Sequence, residues 1–170
     1  MPLRRTNSTW LELLDESERR AFMDRKDQSS TSPAAWEHFA HGADIGVRGF
    51  GPTQAEAFAQ AARAMCAAIV DPKDVRPDQT IEIEAEAPSA DVLLIDWLNA
   101  LVYEMAARRM IFGAFDLTIA EGKLKARAYG EKISRERHAP AVEVKGATFT
   151  QLEVREDRPG LWRAQCVVDV

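Results

Sequence analysis

The stretch Leu93–Met105, LLIDWLNALVYEM, constrains the fold most. Leu94, Trp97, Leu98, Leu101, Val102 and Met105 recur at helical spacing and form one continuous apolar stripe. Leu93 and Ile95 widen that stripe, so the helix is expected to be well buried. Ser89 is placed to cap its N-terminus, and Asp91 and Asp96 lie toward the favourable end of the helix dipole. Short alternating segments flank it on both sides and read as strands that it must cover.

Before it, TIEIEAEA (80–87) alternates cleanly, with Ile81, Ile83 and Ala85 inward and Glu82, Glu84 and Glu86 outward. Earlier still, WEHFAHGADIGVRGF reads as strands at 35–40 and 45–50 around a polar break from His41 to Asp44. Thr53 and Glu56 form a capping box. They open a helix whose face carries Phe58, Ala61, Ala62, Met65 and Ile69 and which stops at Asp71-Pro72. After the central helix, which can continue to Arg109, come strands near 115–120 and 123–130 and an exposed polar loop, EKISRERHAP. A long, bulged strand is expected over 142–157, then a final strand over LWRAQCVVDV. In that final strand Trp162, Ala164, Cys166 and Val168 face one way and Arg163, Gln165, Val167 and Asp169 the other. The fold class is therefore α+β, two helices packed on an antiparallel or mixed sheet in a single domain (35–170).

Residues 1–34 form an N-terminal extension. A short helix from Ser8 or Thr9 to about Lys26 presents Trp10, Leu13 and Leu14, and the polar run KDQSSTSP reads as a linker. The extension has too little apolar surface to fold alone.

With 170 residues, 46% apolar and 29% charged, the chain suits one soluble domain with a real core. Its formal net charge of −5 does not favour a broad nucleic-acid face. No apolar run reaches the ~18 residues of a membrane span, and MPLRRTNSTWLELLDES lacks a signal-peptide core. A cytoplasmic location is expected. Cys66 and Cys166 are read as buried thiols.

No phosphate loop, dinucleotide fingerprint or zinc spacing is present. The unusual features are acidic. Asp44, between Gly42 and Gly46, either caps a turn through its own backbone or faces a site at a strand start. Asp169 stands in an otherwise apolar strand end, beside the carboxylate of Val170. If the first and last strands are neighbours, these three carboxylates converge. They would then repel one another unless a hard cation such as Ca²⁺ or Mg²⁺ neutralises them. His38 reads as a surface or sheet residue, and His41 as ordering the loop or bonding Asp44. Arg135, Arg137 and His138 read as loop solvation or a partner contact. Lys145, with Thr148, either holds an anion, pairs with Glu131 or lies on a solvated sheet face.

Five stretches in order resemble the archease family: WEHFAHGADIGVRGFGPTQAEAF, LLIDWLNALVYEM, KLKARAYGE, ERHAPAVEVKGATF and the terminal VVDV. The resemblance covers residues 36–170. It departs where the family's H-T-A-D carries threonine and this chain has Gly42, and at Trp36, Gly146, Thr150 and Val170. The resemblance implies a small α+β accessory protein, itself not an enzyme. Such a protein promotes guanylylation and multiple turnover of an RNA-splicing ligase of the RtcB type in tRNA splicing or RNA repair. It implies a divalent cation, Ca²⁺ first with Mg²⁺ or Mn²⁺ as alternatives, held by Asp44, Asp169 and the Val170 carboxylate, with Glu56 near them. His41, Glu131, His138, Lys145 and Thr148 match further family positions. The ligase is the implied partner; neither stable direct nucleic-acid binding nor a membrane is. Two other readings stay open: a binding or chaperone-like module for another RNA-modifying protein, and a metal-dependent enzyme.

Overall fold

The structure is a computed structural model and describes residues 15–17 and 34–170. The helix and linker expected within residues 1–34 lie outside the described residues apart from 15–17.

The chain opens with a hairpin of β1 (Ala35–His41) and β2 (Asp44–Gly51). The break between them is shorter than the sequence suggests: His41 pairs with Asp44, and only Gly42 and Ala43 turn the chain. Gly42 adopts φ +57, a left-handed conformation that glycine takes without steric cost, and a Cβ there would meet nothing within 4 Å.

Helix α1 (Gln54–Ile69) follows, capped as expected by the Thr53 hydroxyl, which accepts the Glu56 N–H at 3.2 Å. A 3-10 turn (Pro72–Asp74) leads to β3 (Gln79–Glu86) and then to α2 (Ala90–Arg108). Ser89 caps α2 through the Val92 N–H, and Arg109 ends it in the left-handed conformation. β4 (Met110–Ala120) and β5 (Lys123–Lys132) form a hairpin turned at Gly122, φ +75. A one-turn helix, α3 (Arg135–His138), precedes β6 (Gly146–Ala147), β7 (Glu153–Arg158) and β8 (Leu161–Asp169).

Two antiparallel sheets result. One has the order β1-β2-β8-β6, with β7 also on β8; the other is β3-β5-β4. The fold is α+β as expected, but the helices meet two sheets. α1 packs on β2 and β8 of one and β4 of the other, while α2 packs on β3, β4 and β5 and reaches β6 and β7. The small residues of α1 make this close approach possible. Ala57, Ala61, Ala62 and Ala64 are fully buried with Phe58 and Met65. Trp97 of α2 is also fully buried; it donates its indole N–H to the Phe58 carbonyl at 3.2 Å and stacks edge-on against Phe115. Among the described residues no helix is long and apolar enough to cross a membrane.

Two expectations are corrected. β4 begins at Met110, earlier than 115, because its first four residues, ending in a bulge at Gly113, pass through the core. The long strand over 142–157 is two strands separated by a turn: the Thr148 hydroxyl donates to Val167 O at 2.8 Å, and Gln151 takes φ 56. The final strand is β8 as expected, and both of its alternating sets are buried from Ala164 through Val168.

Candidate functional site

The β2–β8 ladder sets the site. Its last pair is Ile45 with Val168, so one further step sets Asp44 opposite Asp169. The Val170 N–H donates to Asp44 Oδ1 at 3.4 Å. Asp44 and Val170 are half-buried and Asp169 is exposed. On the other side of β8, Gly146 pairs with Asp169, and the Lys145 N–H donates to Asp169 O at 2.8 Å. Sequence elements far apart thus bring Asp44, Asp169 and Val170 to one strand end, with the Lys145 backbone bound there and its side chain exposed.

The donor set fits a hard cation: carboxylate oxygens, one already oriented by a backbone N–H. Among the described residues no three or more His, Cys, Asp or Glu side chains gather closely enough to hold an ion. Two aspartates alone are therefore short of a cage.

The remaining residues divide. His41 is exposed and faces Asp44 across the hairpin. His38 is tied to the helix instead, its Nε2 lying 2.6 Å from Ala64 O. Glu56 is not beside Asp44. A Cβ on Gly51 would lie 2.7 Å from the Glu56 Cβ, so Glu56 sits at the opposite end of β2. Seven residues of strand put it about 23 Å from Asp44.

Glu131 and His138, read as a possible anion partner and as loop solvation, are buried at 6% and 7% exposure. Glu131 accepts the Arg76 N–H and pairs with the Arg137 guanidinium, which also donates to Asp74 O at 3.2 Å. That leaves Lys145 no claim on Glu131. His138 Nδ1 accepts the Ser134 N–H at 2.8 Å, and its Nε2 lies 3.5 Å from Glu131. Burial, and then the Arg137 charge, lower the His138 pKa, so the ring is held neutral. The cluster clamps α3 and the 3-10 region to the end of β5. Buried charge needs pairing of this kind. The sequence signal missed was the clustering of Arg137, His138 and Glu131 around one short loop.

Cys66 and Cys166 are buried and unbridged as expected. Burial pushes both thiols up to about 12.

Comparison with known proteins bears on the family and the fold. A family model described as Archease protein family (MTH1598/TM1083) matches residues 36–170. "Protein archease" of Pyrococcus furiosus is 38% identical over 139 residues, covering 79% of this chain and 98% of the relative. Its counterpart in Methanosarcina barkeri is 34% identical over 146 residues, covering 83% and 99%. The solution structure of Methanobacterium thermoautotrophicum protein 1598 superposes with a TM-score of 0.69 at 28% identity, over 80% of this chain and 99% of that one. The fold and these matches define a small α+β protein of the archease class. The chain belongs to the archease family.

Proposed function

We propose that this chain is a non-catalytic activator of an RNA ligase of the RtcB type, serving tRNA splicing or RNA repair in the cytoplasm. It acts by promoting the ligase's guanylylation and its return for further turnovers. The observation that carries the reading is the junction of Asp44 and Val170 at the end of β8, with Asp169 between them in the ladder. Asp44, Asp169 and the Val170 carboxylate would hold the cation, Ca²⁺ in preference to Mg²⁺ or Mn²⁺ because a site on an open strand edge suits flexible oxygen coordination. Bound there, the cation would offset two of the three negative charges and hold the carboxylates together, leaving the edge weakly acidic toward a partner surface.

The chain's own residues support an activator rather than an enzyme. The two thiols are buried and protonated, and His138 is held neutral inside a structural cluster. Asp44 is oriented by a backbone N–H, and Asp169 by the β6–β8 pairing. This is a surface organised for recognition at a fixed geometry.

The test is a multiple-turnover RNA ligation assay with the same organism's ligase, GTP and divalent metal. Substoichiometric amounts of this protein are expected to raise the number of turnovers per ligase. An active ligase indifferent to the folded protein would overturn the proposal and favour a binding module for another RNA-modifying protein.

A further inference from the structure

Among the described residues three large hydrophobic side chains stand exposed: Trp36, and Tyr103 and Phe149 at 67% each. Trp36 pairs with Gly49, toward the end of β2 away from Asp44. Tyr103 and Phe149 instead flank the same two-residue strand, β6, whose partner is the Asp169 end of β8.

Their positions follow from how α2 runs beside the chain from 142 to 154. Asp91 Oδ1 accepts the Val154 N–H at 3.1 Å. Asn99 clamps Ala147, accepting its N–H at 2.8 Å and donating to its carbonyl at 3.3 Å. Farther along, Val102 and Met105 line a groove with Val142 and Val144. Helix and segment are therefore antiparallel. Tyr103, one turn past Asn99 on the same face, lies on the Lys145 side of β6, and Phe149 on the other.

The Phe149 loop is fixed. The Thr148 N–H and hydroxyl both donate to Val167 O, Val167 N–H donates to Thr150 O, and Gln165 Nε2 donates to Gln151 O at 3.0 Å. Thr148 and Thr150, on either side of Phe149, thus both bond Val167, two residues before Asp169 on β8. A loop this well tied that still holds its phenylalanine in water is preorganised to bury it elsewhere.

We propose that Tyr103 and Phe149 are aromatic anchors by which this face docks on the RNA ligase, at apolar pockets beside a positively charged or metal-bearing site. The inference rests on the function proposed above. Charge favours a protein over nucleic acid: Asp169 pairs with Gly146 of β6, Asp44 stands across the end of β8, and the exposed Asp96 lies three residues before Asn99, so together they outweigh the exposed Lys145 and repel phosphates. It also disfavours a second copy, whose matching face would carry the same charges.

The test titrates the full-length wild type, Tyr103→Ala/Phe149→Ala and Trp36→Ala into the ligation assay. The double variant should need at least about tenfold more protein for half-maximal stimulation. Its maximal stimulation and melting temperature should match the wild type, and Trp36→Ala should match throughout. An unchanged half-maximal concentration overturns the anchors while leaving the activator standing. Loss of the maximum at saturation would put the aromatics in the activating step and overturn docking. A variant-dependent change in sedimenting mass or in RNA retention would assign the face to a second copy or to RNA, and also overturn it. A wild type without stimulation removes the activator reading and this inference together.

Discussion

The Val170 N–H reaches Asp44 Oδ1 across 126 positions of sequence, at 3.4 Å, where the first hairpin meets the last strand. That bond orients a carboxylate toward the strand end that also carries Asp169, and it makes the site a product of the whole fold.

The close approach of β2 to α1 is one requirement of that fold. A Cβ on Gly49 would lie 2.2 Å from Ala57 O and 2.3 Å from Ala61 N, both backbone atoms that cannot swing aside. Gly49→Ala should cost about 3 kcal/mol or more, read from urea unfolding. Gly42→Ala meets no atom and pays only for its φ of +57, about 1 kcal/mol. Equal costs at the two positions would contradict this packing.

His138 gives stability a pH dependence of definite sign. The folded chain holds the imidazole below its ordinary pKa of about 6.5, so the unfolded chain binds the proton first as pH falls. The contribution is complete above about pH 6.5 and is lost as pH drops through the folded value. Urea midpoints of the wild type should therefore fall more between about pH 7 and 5 than those of His138→Gln. Parallel curves would show that the ring is not held neutral.

Much of this was legible locally. The Thr53 and Ser89 caps, the two apolar helix faces and the Ile81–Ile83 alternation all rest on neighbours within a few residues. What escaped depends on distant partners. The turn at Thr148 exists because Val167 supplies an acceptor, and His138 is buried because Glu131 and Arg137 meet it. Glu56 and Asp44 belong to consecutive elements, yet they stand at opposite ends of β2. Asp44, Asp169 and Val170 were legible as candidates, but only the register of β2 with β8 brings them to one edge.

Both cysteines should be inert in the native protein. With thiols pushed up to about 12 by burial, almost no thiolate forms at neutral pH. A small alkylating reagent at about pH 8 should label neither until denaturant is added, after which both react. Rapid native labelling of either would contradict their burial.

The most direct measurement of the central claim is turnover number in RNA ligation with the wild type, Asp44→Asn and Asp169→Asn, each confirmed folded by an unchanged melting temperature. Each substitution removes one negative charge and keeps side-chain size, so the edge loses cation affinity without losing its shape. The account predicts that the wild type stimulates at substoichiometric amounts and that each variant loses most of that stimulation. A folded Asp44→Asn protein that stimulates as well as the wild type would contradict it.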